Sequence, residues 1–211
     1  MRLIAIGDIH GCLRELKELM GVIKPTPSDR LIFIGDYIDR GPDSVEVVKY
    51  VFTELGDLNA VKLMGNHEAL FQYYFEDWKK DFGETTLLSM EKNGFKQSFD
   101  FLRDCFKRTR LSHVEQGFLF VHGGIRSEGL EQTPDEEILQ LRNVHEYKGK
   151  VPIIVGHTPV PHAVKYENAV NVDSGCFKTG ILSGYDPLND ILYTNRGITQ
   201  IQQSKTALPE P

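Results

Sequence analysis

The chain has 211 residues, 40% hydrophobic, 26% charged and 10% aromatic. That composition supplies one well-buried core and excludes a disordered, fibrous or coiled-coil protein. Lys and Arg total 24 against 30 Asp and Glu, a formal net charge of −6. This argues against a binder of nucleic-acid backbone, which needs a basic face, and at first sight against anionic substrates too. No apolar run of about 18 residues reads as a membrane span. The first apolar stretch meets Gly7 and Asp8 too early for a signal peptide. Cys12, Cys105 and Cys176 are odd in number and form no CxxC pair. They point to a reducing cytoplasm, and to neither a disulfide framework nor a cysteine zinc site.

In chain order, residues 2–6 predict a strand, and Leu13, Leu16, Leu19 and Met20 put a helix over 12–22. Residues 25–29 read as a loop and 31–34 as a second strand. Val45, Val48, Val51, Phe52 and Leu55 line one face of a helix over 45–55, and 59–64 is a third strand. Residues 69–110 are aromatic and charged with little strand patterning; they read as helical, with the aromatic stripe as core. Strands come next at 117–121 and 151–155, with a helix start at Thr133-Pro134-Asp135-Glu136-Glu137 between them. Residues 169–172, 179–184 and 191–194 suggest a closing β meander with a turn at Gly184-Tyr185-Asp186-Pro187. Strands alternating with helices imply an α/β fold. The expected organisation is one domain over 1–202, with 69–110 as a helical insertion and 203–211 as a flexible tail.

The residues with chemistry to offer sit immediately past the strands. Apolar runs end in Gly7-Asp8-Ile9-His10-Gly11, in Gly35-Asp36-Tyr37-Ile38-Asp39-Arg40-Gly41, in Gly65-Asn66-His67-Glu68, in His122-Gly123-Gly124 and in Gly156-His157-Thr158. Polar groups at the carboxyl ends of strands lie on the sheet edge where ligands bind, and glycine lets the backbone come close to them. Taken alone, Asp8 or His10 reads as a cap or loop group; five such ends in one chain do not.

The residue types suit two divalent cations. Asp8 and His10, two apart in an extended segment, leave on one side and can share a metal. Asp36 has two oxygens and can bridge, and Asn66, His122 and His157 complete a second site. Imidazole with carboxylate suits manganese, iron, zinc or nickel, manganese first. Paired ions are the usual device for in-line displacement at phosphorus. Arg40 offers a fork for phosphate oxygens. His67 is placed to protonate a leaving group and Asp39 to orient it.

These motifs resemble the metallophosphoesterases, and within them the phosphoprotein phosphatase branch with its GDxHG, GDxxDRG and GNHE signatures. The likeness is collinear from residue 3 to about residue 195. It implies a four-layer α-β-β-α sandwich with a dimetal site at the strand ends. It implies one metal on Asp8, His10 and Asp36, and another on Asp36, Asn66, His122 and His157. It also implies a second phosphate-binding arginine, matched by Arg142, although Gln140 stands where the family usually has tryptophan. The region from Val172 to Lys178 lacks the loop of the eukaryotic enzymes, so the chain looks like the bacterial or phage type.

Two activities are implied by that resemblance. One is hydrolysis of phosphate monoesters, on phosphoserine or phosphothreonine and also phosphotyrosine in proteins, by in-line attack of a metal-bridging hydroxide. The alternative is symmetrical hydrolysis of diadenosine tetraphosphate. The shortness of the chain favours the first. The expected partners are a phosphorylated protein or a small phosphorylated substrate, with no membrane and no nucleic acid. A non-catalytic metal-binding scaffold would not need His67, Asp39 and Arg40, and the Asp39-Arg40 pair disfavours a nuclease.

Among other polar residues, Asp43 reads as the cap of a helix from Ser44, and Glu68 as completing the helix start after Asn66. Asp173 reads either as support for a ligand histidine or as a turn former. His113, His145 and His162 read as surface or loop groups, and Arg126 as a solvated loop residue.

Overall fold

The computed structural model describes residues 1–55 and 58–207. Two six-stranded mixed sheets face each other, with helices on their outer sides. The first is built on β1 (Leu3–Ile6), β2 (Arg30–Phe33) and β3 (Asn59–Lys62), which run parallel in level register, Ile6 beside Phe33 and Phe33 beside Lys62. The strands β9 (Ser183–Asp186), β10 (Ile191–Thr194) and β11 (Gly197–Thr199) extend it antiparallel from β1. The second sheet centres on parallel β5 (Phe118–Val121), β6 (Ile153–Val155) and β8 (Ala169–Asn171). It is edged by β4 (Ser112–Glu115) on one side and by β7 (Val164–Lys165) and β12 (Gln202–Gln203) on the other.

Strand alternation makes the layers. In β1 and β2, Leu3, Ala5 and Ile32 face the second sheet and meet Phe120, Ile154 and Val170. Ile4, Ile6, Leu31 and Phe33 face outward into a helical layer. That layer holds α1 (Leu13–Ile23), α2 (Ser44–Lys49), α3 (Asn66–Tyr73), α4 (Phe75–Asp81), α5 (Glu84–Lys92) and α6 (Phe95–Phe106). Leu119, Val121, Ile153 and Val155 pack outward against Ile138 of the short α7 (Asp135–Gln140) and against Val144 and Tyr147. The result is an α-β-β-α sandwich whose second helical layer is thin.

Several expectations need correction. The closing strands do not form one meander: β8 belongs to the second sheet, and the meander is β9-β10-β11 in the first. Cys176–Thr179 forms a short helix, α8, and the strand begins only at Ser183. Gly184 to Asp186 is therefore strand, and the reversal comes after Asp186, whose Oδ1 accepts from Leu188 N and Asn189 N. The helix over 45–55 passes into a π-helical turn, Tyr50–Glu54, closed by Leu55 N donating to Tyr50 O at 2.9 Å. In the expected tail, Gln203 lies in β12 against β7, and residues 208–211 lie outside the described residues. His113 is a strand residue, its Nε2 2.8 Å from Glu115 Oε2.

Residues 66–106 supply four helices. Phe71, Trp78 and Phe106 of the aromatic stripe are fully buried, whereas Tyr73, Tyr74, Phe82 and Phe95 are exposed. The core reading holds for part of the stripe only.

Candidate active site

Because β1, β2 and β3 end level, and β5 and β6 end beside them across the sandwich, the loops after them converge on one edge. Five residues there hold left-handed backbone without being glycine: His10, Asp36, Asp39, Arg40 and His157, with φ of 49°, 50°, 69°, 68° and 65°. Strain of this kind persists only where the surroundings enforce it and clusters at functional sites. Two glycines are needed for close approach. A Cβ at Gly65 would sit 2.1 Å from Asp36 Oδ1, and one at Gly156 would sit 2.0 Å from Asp8 Oδ1.

Asp36 lies at the centre. Its Oδ2 is 3.4 Å from His10 Nε2 and its Oδ1 is 3.4 Å from His122 Nε2. Asn66 Oδ1 lies 3.0 Å from His122 Nε2 and 2.9 Å from His157 Nδ1. Two tight donor groups result, His10–Asp36–His67 and Asp36–His122–His157, sharing Asp36. Asp8 is in neither trio; its Oδ2 accepts from His157 N at 2.9 Å. The far ring nitrogens are tied down, His10 Nδ1 to Ile38 O at 2.8 Å and His122 Nδ1 to Ile34 O at 3.1 Å. Such backbone contacts set the tautomer and the ring direction of a metal ligand.

The electrostatics suit bound cations. Burial pushes His10 and His157 down to about 3, leaving neutral imidazoles with lone pairs to give. Asp8 is raised well above the ordinary carboxylate range by burial and then by the charges of Asp173 and Asp36. Burial works against ionised Asp36, yet the His122 and His67 charges hold its carboxyl well below the usual range. Asp8 Oδ1 and His157 Nε2 are buried with no hydrogen-bond partner among the described residues. Buried orphans beside crowded carboxylates are what a cation would relieve, so the donor set fits divalent metal.

Beside this cluster, His67 Nδ1 lies 2.7 Å from Asp39 Oδ2. Two residues that sequence reasoning missed complete that pair: Trp78 Nε1 donates to Asp39 Oδ2 at 2.7 Å, and Thr86 Oγ1 donates to Asp39 Oδ1 at 2.6 Å. Both come from the 69–110 segment, and no local signal separates Trp78 from its aromatic neighbours. Arg40 stacks its guanidinium 4.3 Å from the centroid of Phe177, another missed residue, and its Nη2 is 3.5 Å from His67 Nε2. Arg142 comes just after α7, and its Nη1 donates to His157 O at 3.3 Å, so it stands at the rim.

Glu68 does more than complete a helix start. Its two oxygens accept from Gly65 N, Asp36 N, Tyr37 N and Ile38 N at 3.0, 2.8, 2.9 and 3.3 Å. It clamps the β2 loop to the start of α3. Asp43 sits at the first position before α2 but its side chain caps nothing; its carboxylate lies 3.6 Å from Lys92 Nζ. Asp173 accepts from Gly175 N at 2.9 Å, which is the turn role. Arg126 is exposed and pairs with Glu137. Cys12 and Glu15, at the start of α1, bring donor atoms together with Cys176, far along the chain.

An edge of this kind on this sandwich defines a phosphoesterase. The model of the calcineurin-like phosphoesterase family matches residues 1–192, and the chain belongs to that family. It is a hydrolytic enzyme of the dinuclear-metal type. A relative from Oceanobacillus iheyensis, named bis(5'-nucleosyl)-tetraphosphatase PrpE [asymmetrical], is 30% identical over 88% of both chains. The crystal structure of "a putative diadenosine tetraphosphatase" superposes with a TM-score of 0.73 at 21% identity over 92% of both chains. A serine/threonine phosphatase of Saccharomyces cerevisiae gives 0.69 at 18% identity, covering 100% of this chain and 81% of its own. The fold is thus common to both activities. Among the described residues, no helix is long and apolar enough to cross a membrane.

Proposed function

We propose that the chain hydrolyses dinucleoside tetraphosphates, cutting the bridge asymmetrically to a nucleoside monophosphate and a nucleoside triphosphate. The observation that carries this reading is the PrpE relative, similar along 88% of each chain. Its matching length removes the argument that a chain this short favours monoesters. A second reading, phosphoserine, phosphothreonine or phosphotyrosine on proteins, draws support from the exposure of Arg40 and Arg142, where a peptide-borne phosphate could dock.

In this reading Asp8, His10 and Asp36 would hold one ion, and Asp36, Asn66, His122 and His157 would hold the other. When bound, two divalent ions, manganese for preference, supply Lewis-acid charge and a water of lowered pKa. Arg40 and Arg142 grip the non-bridging oxygens as negative charge spreads over them. The ring of Phe177 props the Arg40 guanidinium. His67 gives the proton on Nε2 to the departing oxygen, and Asp39, itself held by Trp78 and Thr86, accepts from Nδ1–H and so turns Nε2 toward that oxygen. Unpaired cysteines and a small soluble substrate agree with a cytoplasmic setting.

The test is to strip the protein with chelator, reload it with manganese and assay diadenosine tetraphosphate, phosphoserine peptide and phosphotyrosine peptide side by side, separating the nucleotide products. AMP with ATP at the highest kcat/KM supports the proposal. Two ADP would replace the asymmetrical cut by a symmetrical one. Preference for a peptide would replace the dinucleotide reading altogether.

A further inference from the structure

Beside His67 opens a cavity of about 290 Å3. Its inner wall is Asp39, Arg40 and His67. Its outer wall is the corner between α4 and α5: Lys80, Asp81, Phe82, Glu84 and Thr85. We propose that this cavity is a subsite for a nucleobase bearing an exocyclic amine, adenine above all. The proposal deepens the dinucleotide reading and rests on it for the identity of the occupant.

Two observations point to an aromatic, amine-bearing ligand. First, Phe82 is 46% exposed, although it is a large apolar residue beside the site, and its ring meets the His67 ring edge-to-face at 5.3 Å. An exposed ring held in place offers a stacking platform, and stacking is how proteins grip bases irrespective of their edges. The corner is rigid. A Cβ at Gly83 would come 2.9 Å from the Trp78 ring, and Trp78 and Thr86 on either side are bonded to Asp39. Second, the wall carries two carboxylates, Asp81 and Glu84, which oppose bound phosphate but accept a hydrogen bond from an amine on a base edge. Lys80 and Arg40 remain to neutralise the phosphate that leads into the cavity.

The test reads inhibition, so it does not depend on tetraphosphate cleavage. The manganese-loaded full chain hydrolyses phenyl phosphate in the presence of AMP, IMP or inorganic phosphate. AMP and IMP differ along one base edge: the amine becomes a carbonyl, which would face the two carboxylates unfavourably, and N1 gains a hydrogen. The expected result is AMP inhibiting about fivefold or more tightly than either IMP or phosphate. The preference over phosphate should vanish in Phe82→Ala and return in Phe82→Tyr, which keeps the ring face. Because each preference is a ratio within one protein, a general change in activity does not imitate it. Equal inhibition by AMP and phosphate in the unsubstituted chain, equal inhibition by AMP and IMP, or an AMP preference over phosphate surviving in Phe82→Ala would each overturn the subsite. Loss of tetraphosphate cleavage with the AMP preference intact would sink the dinucleotide reading and leave the subsite standing.

Discussion

Asp39→Asn probes the proton-donating pair at nearly constant shape. Asp39 is fully buried, and its Oδ2 takes both His67 Nδ1 and Trp78 Nε1 at 2.7 Å, while Oδ1 takes Thr86 Oγ1 at 2.6 Å. An asparagine can turn its oxygen to His67 and Trp78 and its amide nitrogen to Thr86, whose hydroxyl accepts as readily as it donates. Geometry then survives and only the charge is lost. A hydrogen bond to a charged group contributes about 1.5–3 kcal/mol. Converted at ~1.4 kcal/mol per tenfold, that is roughly 10- to 150-fold in rate where the proton matters. The ceiling is removal of the acid in His67→Asn, about 10²- to 10⁴-fold. The assay is kcat for an alkyl phosphate such as a phosphoserine peptide against kcat for an activated aryl phosphate, in the unsubstituted chain and both variants. The alkyl substrate should suffer the full loss, less in Asp39→Asn than in His67→Asn. The aryl substrate, whose leaving group departs without a proton, should lose little. Equal losses on both substrates would refute the acid role of His67 and the orienting role of Asp39.

Glu68→Gln turns an amide NH2 toward one of the two pairs of backbone donors and should destabilise the fold by roughly 2–4 kcal/mol in urea melts; a loss under about 0.5 kcal/mol would show that the clamp is idle. Arg2 contributes a pH signature. Its guanidinium donates to Asp29 at 2.7 Å and holds that carboxyl well below the usual range. Since the folded form is depressed, this stabilisation is present above about pH 4 and fades as the pH falls further. Asp29→Asn should therefore lower the urea midpoint at about pH 6 more than at about pH 3, and an equal drop at both would contradict the linkage.

Legibility in the sequence tracked the range of the interactions. The five strand ends were readable because each couples an apolar run to a glycine-flanked donor within a few residues, and Asp8, His10, Asp36, Asn66, His122 and His157 do gather at one edge. Trp78 and Thr86 were not readable, because their worth lies in reaching Asp39, 39 and 47 residues earlier. Phe82 and Trp78 belong to the same aromatic stripe, and only the packing of α4 buries one and exposes the other. The strands β7, β11 and β12 have two or three residues each, too few for an alternating pattern to register. The misassigned meander has a topological cause: β8 and β9 are successive in sequence but pair in different sheets. The chain charge of −6 misled for a similar reason, since Asp8, Asp36 and Asp39 contribute to it while facing the proposed cations and His67.

The most direct test of a dinuclear site is a manganese titration of chelator-stripped protein, reading bound metal by elemental analysis and phosphoesterase activity on the same samples. Two ions per chain are expected, with activity that rises with occupancy and parallel loss of metal and activity in Asp8→Asn and His10→Ala. Full activity without metal, or Asp8→Asn and His10→Ala retaining both ions at an unchanged rate, would contradict the dinuclear site.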